Sequence, residues 1–244
     1  MRDDARRALL ERLIDHAALF PPASMGMDEA LAEDRAARAS AWSWMLDRFV
    51  CPASRLGELD GLDAPVSVVL DGSLGTPAAA IEVRLAEISE VAEAVRRLVE
   101  LSPEVYVELP AAVLPDAIDA IASAGGRAKL RCGGELVPSV DQVARVLVAC
   151  SEAGVVLKAT AGLHHPVRRG EEHGFLNLLC GAIRAGAGVE AVRAALQAQS
   201  IDALALDELD AGEVSAMRER LFKGFGSCSW REPVEDLRAL GILS

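Results

Sequence analysis

Four short segments of the chain share one pattern, in which apolar residues alternate with polar ones at a period of two. Ile81, Val83 and Leu85 alternate with Glu82 and Arg84, and Val105, Val107 and Leu109 with Tyr106 and Glu108. Ala128, Leu130 and Cys132 alternate with Lys129 and Arg131, and Val155, Leu157 and Ala159 with Val156, Lys158 and Thr160. That period predicts strands whose two faces differ in chemistry. Four further strands are predicted over 48–53, 66–71, 201–206 and 223–229. Helices are predicted over 3–18, 28–44, 87–101, 115–123, 139–153, 175–185, 189–198 and 232–240. The helix over 87–101 places Val91, Val95, Leu98 and Val99 on one stripe, and Asp28 is a good N-cap for the second helix.

Strands separated by helical stretches imply β-α units and a parallel sheet. Eight such strands favour an α/β protein of the (β/α)8 TIM-barrel type over an open doubly wound sheet. The expected layout is a single domain over 1–244, with an N-terminal helical extension over 1–47 and the barrel over 48–244. Asp15-His16 and residues 20–24 fall between the two N-terminal helices. They read as capping or packing segments, and their part in a site is left open.

Strands of a parallel α/β sheet are usually apolar on both faces. Here one face of four consecutive strands is charged or polar, and with the apolar face turned to the helices it points into the barrel. Such a concentration near the carboxyl ends of strands, where barrel sites lie, points to function beyond a structural ion network. Lys129 and Lys158 lie on neighbouring strands, so each cation disfavours the other, and with Arg131 nearby at least one is expected to approach neutrality near pH 7. A neutral amine attacks carbonyls to form a Schiff base. Lys158 is the first choice as nucleophile, because Thr160 and Gly162 leave room beside it. Glu108 is then expected as proton shuttle or counter-ion, and Tyr106 as a second donor. Arg84 and Arg131 are expected to meet the substrate.

Composition narrows the partners. The formal net charge of −12 argues against nucleic acid. No apolar run approaches the ~20 residues that span a bilayer, and the charged N-terminus is neither signal peptide nor anchor. The five cysteines form no C-x-x-C pair and read as reduced thiols of a cytoplasmic protein, with Cys132 or Cys228 only a remote choice of nucleophile. A small anionic molecule is the expected partner, no cofactor is called for, and homo-oligomerisation is left open.

The segment Lys158-Ala159-Thr160-Ala161-Gly162-Leu163 resembles the strand-six motif Lys-Thr-Ser-Thr-Gly-Phe of the deoxyribose-phosphate aldolase group of class I aldolases. The match is in the lysine, a hydroxyl two residues on, and the glycine. The resemblance implies a barrel in which Lys158 is the Schiff-base lysine. It also likens the stretch from Gly224 through Gly226 and Ser227 to Ser229 to a turn that holds a substrate phosphate through backbone N–H groups. The chain departs from that pattern in two places. The family's strand-three aspartate is replaced by Glu82 and Arg84, and no lysine falls on the seventh strand expected over 201–206.

Three of the four histidines, His164, His165 and His173, cluster after the Lys158 strand. General acid/base or anion-binding work by His164 or His165 is expected. A metal-assisted isomerase or hydrolase using His164, His165 and Glu108 is an alternative, although adjacent histidines diverge and no H-x-H or H-E-x-x-H spacing is present. A non-catalytic anion-binding barrel is another. Arg168-Arg169-Gly170-Glu171-Glu172 reads as a solvated loop or a mobile lid. The leading expectation is a C–C lyase acting on a small phosphorylated or carboxylated carbonyl compound.

Overall fold

The computed structural model, which describes residues 1–134 and 137–243, closes eight parallel strands into a barrel in which each pairs with its sequence neighbours and the last returns to the first. In chain order the elements are α1 (Asp3–Leu10), β1 (Ile14–His16), α2 (Met27–Arg38), β2 (Leu46–Pro52), β3 (Val66–Val69), β4 (Ala80–Arg84), α3 (Val91–Leu98), β5 (Val105–Glu108) and α4 (Leu114–Ser123). There follow β6 (Arg127–Arg131), α5 (Val140–Ala153), β7 (Leu157–Thr160), α6 (Phe175–Ile183), α7 (Val189–Gln197), α8 (Ile201–Leu204), α9 (Ala211–Arg220), β8 (Phe222–Ser227) and α10 (Arg231–Ala239). The expected fold is therefore present, with two strand assignments exchanged.

The helix expected over 3–18 stops at Leu10, and Ile14–His16 forms β1 instead, hydrogen-bonded between β2 and β8. The N-terminal extension thus reduces to α1, and α2 is the helix of the first β-α unit. Conversely, the strand expected over 201–206 is the single helical turn α8, capped by Ser200, whose Oγ accepts from the Ala203 N–H at 3.2 Å. Local signals elsewhere behaved as their chemistry requires. Ser139 and Gln142 close a reciprocal capping box at the start of α5, and Gly154 ends that helix at φ 66°.

The apolar faces of the strands meet the helices. Ile81, Val107, Ala128, Leu130, Leu157 and Ala159 are all fully buried there. The polar alternates fill the barrel. Its amino-terminal end is plugged around Glu104, which pairs with Arg48 at 2.8 Å and Arg127 at 3.3 Å and accepts from the Tyr106 hydroxyl at 3.0 Å. Its carboxyl end is open. Among the described residues no helix is long and apolar enough to cross a membrane.

Candidate active site

Register places the charges. Glu108 on β5 faces Lys129 on β6, Lys129 faces Lys158 on β7, and Lys158 faces Gly224 on β8. With β1 counted, Lys158 stands on the seventh strand and not the sixth, and Lys129 occupies the sixth. The shift comes from β1, which the sequence reading took as helix, and it means that the motif likened to strand six of the aldolase group lies on strand seven here.

The side chains form a row of alternating sign. Lys158 Nζ donates to Asp15 Oδ2 on β1 and, at 2.6 Å, to Glu82 Oε1 on β4. Glu82 Oε2 pairs with Lys129 Nζ at 2.7 Å, and Lys129 pairs in turn with Glu108 Oε2 at 2.8 Å. Arg131 Nε donates to Glu108 Oε1 at 2.8 Å and ends the row at the rim. Three carboxylates thus face three cations. Two neutral donors complete the set, since Ser67 Oγ donates to Glu82 Oε1 at 2.6 Å and the Arg48 backbone N–H to Asp15 Oδ1 at 3.1 Å. The Tyr106 ring lies beneath the Lys158 ammonium, 5.4 Å from its centroid.

For Lys158 this arrangement overturns the expectation of a neutral amine. Burial by itself disfavours the Lys158 ammonium, but Asp15 and Glu82 together outweigh burial and raise its pKa above the usual lysine range. Burial likewise works against Glu82, yet Lys129 and Lys158 hold that carboxyl well below its usual value. Glu108 is also lowered, burial being overcome by Lys129 and Arg131. Asp15 differs from both, because there burial exceeds the pull of Lys158 and the pKa is raised. Among these carboxyl groups only Asp15 is shifted upward.

A cavity of about 460 Å³ opens above the row at the carboxyl ends of the strands. Lys158, Lys129 and Glu82 form its floor, and Arg131, Thr160, Gly162, His164, Gly226 and Ser227 are on its sides. Several expected site residues lie elsewhere. Glu108 is covered, with Lys129 and Arg131 holding one oxygen each, which makes it a counter-ion and not a shuttle. Tyr106 turns its hydroxyl to the opposite end of the barrel, and burial pushes its pKa up to about 12. The Arg84 side chain is 75% exposed and, among the described residues, pairs with Glu108 alone, at 3.7 Å. His165 faces α10, with Nδ1 2.9 Å from Asp236 Oδ2, while His164 at the rim is 3.3 Å from Glu232.

Of the expected phosphate turn, Gly226 and Ser227 line the cavity, whereas Gly224 and Ser229 do not. A Cβ on Gly224 would stand 2.4 Å from the Leu13 carbonyl oxygen, so this glycine lets the ends of the barrel close. Ser229 Oγ accepts from the Glu232 N–H at 3.3 Å, serving the start of α10. Arg168 and Arg169 stay outside the cavity lining, which includes Glu172 from the same loop. All five cysteines are free, and burial pushes Cys132 up to about 12, which removes it as a nucleophile at neutral pH. Among the described residues no group of three histidine, cysteine, aspartate or glutamate side chains is arranged to hold a metal ion, so the set of His164, His165 and Glu108 is not brought together.

The residues that sequence reasoning missed come mostly from β1 to β3. Asp15 is the partner of Lys158. Ala17, Phe20, Pro21, Pro22, Val50 and Val69 build the cavity wall opposite β6 and β7. The available signal was the polar pair Asp15-His16 inside the otherwise apolar run Leu13 to Phe20. His16 points away from the barrel interior to the buried Asp34 on α2, at 3.1 Å.

The chain is thus a (β/α)8 barrel with a charged cavity at the end where barrel enzymes carry their sites. No protein-family model matches it, and no curated protein matches its sequence.

Proposed function

We propose that this barrel is an enzyme that makes or breaks a C–C bond in a small carboxylated or phosphorylated carbonyl compound through an imine on Lys158. The observation that carries the reading is the pairing of Lys158 with the buried Asp15 carboxyl at the floor of an open cavity. Lys129 is the poorer choice, because both its partners, Glu82 and Glu108, are carboxylates of lowered pKa and neither is suited to take a proton. Gly226 adds room beside Thr160, since it carries no side chain where it lines the cavity.

In this reading Lys158 passes one proton to Asp15, and the freed amine adds to the carbonyl carbon. The carbonyl oxygen leaves as water after taking up two protons, one of them returned by Asp15. The resulting iminium accepts the electron pair of the breaking C–C bond, while the proton of the departing hydroxyl leaves through His164 or water at the rim. Glu82 stays ionised and steadies the cationic nitrogen.

Borohydride reduction in the presence of short oxo acids and hydroxyaldehydes tests this. The expected result is a mass increase equal to carbonyl compound plus two hydrogens minus water, mapped to Lys158 and absent in Lys158→Met. An adduct confined to Lys129, or none with a compound that the protein turns over, would end the proposal.

A further inference from the structure

The two walls of the cavity differ in a way that specifies the ligand further. On the β6–β7 side Arg131 is the rim cation. Its Nε is committed to Glu108, its side chain is 41% exposed, and neither terminal nitrogen bonds to another described residue. Its Nη1 stands beside Gly134, 4.0 Å from where a Cβ would sit there. Beneath it the row of ion pairs is balanced, with Asp15, Glu82 and Glu108 against Lys158, Lys129 and Arg131. Glu172 adds a negative charge to the lining. This field accommodates one negative charge facing a planar fork and works against a dianion.

Among the described residues the β1–β3 side offers the cavity no polar side chain. Ala17, Phe20, Pro22, Val50 and Val69 face the cavity from there, and a polyhydroxylated chain laid along them would lose its hydrogen bonds to water without replacement. Arg131 stands two residues beyond the level of Lys129 and Lys158, roughly 7 Å along the strand direction. An anionic group at the rim and a carbonyl at the floor are then separated by only a few bonds.

We infer that the cavity selects a monocarboxylate with an apolar, branched or unbranched, hydrocarbon substituent, the carboxylate held by the Arg131 fork and the hydrocarbon by the Val50–Val69 wall, in preference to a sugar phosphate. This narrows the substrate class of the proposed imine chemistry and rests on the same cavity. The binding step is tested without that chemistry, using acids that carry no carbonyl to condense.

Titration calorimetry on the full chain with 4-methylpentanoate, acetate and inorganic phosphate reads the selectivity directly. The expected order is 4-methylpentanoate tightest, by at least ~10-fold over acetate, since several buried CH2 groups each contribute. Arg131→Gln is expected to weaken 4-methylpentanoate by ~10- to 100-fold, as loss of a charge-assisted bond does, with Arg131→Lys intermediate. Val69→Asn should weaken 4-methylpentanoate and leave acetate within ~2-fold, and it decides the matter if Arg131→Gln does not fold. Phosphate binding tighter than 4-methylpentanoate, or 4-methylpentanoate affinity indifferent to Val69→Asn in a folded protein, overturns the inference. Absence of a borohydride adduct would overturn only the imine, and carboxylate selectivity would survive it.

Discussion

The two halves of the barrel interior are built from different materials. From β4 to β7 the inward positions are Glu82, Arg84, Tyr106, Glu108, Lys129, Arg131, Lys158 and Thr160, whereas from β1 to β3 the upper ones are Ala17, Val50, Ser67 and Val69. The charged half is held by short ion pairs and leaves almost no space. The small half leaves the space and contributes one decisive charge, Asp15, at its base. The comparison teaches that the interior is divided between a wall that holds the charges and a wall that makes room. Helix distribution follows the same division, since no α-helix separates β2, β3 and β4, while four separate β7 from β8.

The largest way to break this comparison is Glu82→Ala. It strips the shared partner from Lys129 and Lys158, and removing one member of a buried ion pair costs about 3–5 kcal/mol. Urea unfolding that shows a loss under about 1 kcal/mol would mean that the charged half is not what holds the interior together.

A second effect concerns pH. The Glu82 and Glu108 carboxyls are lowered in the fold, so their contribution is fully present above the ordinary glutamate value of 4.5 and disappears as pH falls below it. Lys158 is raised, so its contribution is full below the ordinary lysine value of 10.5 and disappears as pH climbs through the higher folded value. Asp15, raised by burial, works in the opposite sense and favours the fold at lower pH. Thermal melts across pH should therefore fall off on the acid side below 4.5 and on the alkaline side above 10.5. Glu82→Gln should flatten the acid limb, and an unchanged acid limb in that variant would contradict the assignment.

The smallest effect comes from the other half. Val50→Ala removes two methyl groups from a buried side chain that already borders the cavity, and a loss of only about 1 kcal/mol is expected by chemical unfolding. A loss matching that of Glu82→Ala would erase the distinction between the halves.

The charged half was the more legible in the sequence, for a physical reason. Strands of four or five residues with apolar residues at every second position declare both their existence and their faces, as Val105 to Glu108 and Arg127 to Arg131 do. β1 has only three residues, too few for a period to show. Its Leu13 and Ile14 also extend the stripe of Leu9 and Leu10, so helix continuation is the simpler sequence reading. Over 201–206 the short, mostly apolar run Ile201-Asp202-Ala203-Leu204-Ala205-Leu206 fits a strand. One helical turn capped by Ser200 satisfies it equally, and Phe222–Ser227 alone provides the closing strand. The sign of the lysine shift was misjudged because Asp15 was absent from the sequence-based site. Two neighbouring ammonium groups repel, but a carboxylate on each flank reverses the balance.

The pairing of Lys158 with Asp15 joins residues 143 positions apart, and β1 is held in place on one side by β8, which begins at Phe222. During synthesis the chain therefore cannot complete its row of charges until nearly all of it has left the ribosome, because the strand carrying the Asp15 carboxylate waits for its closing neighbour. Any trace of activity, whatever the substrate, would double as a report that the circle of strands has shut.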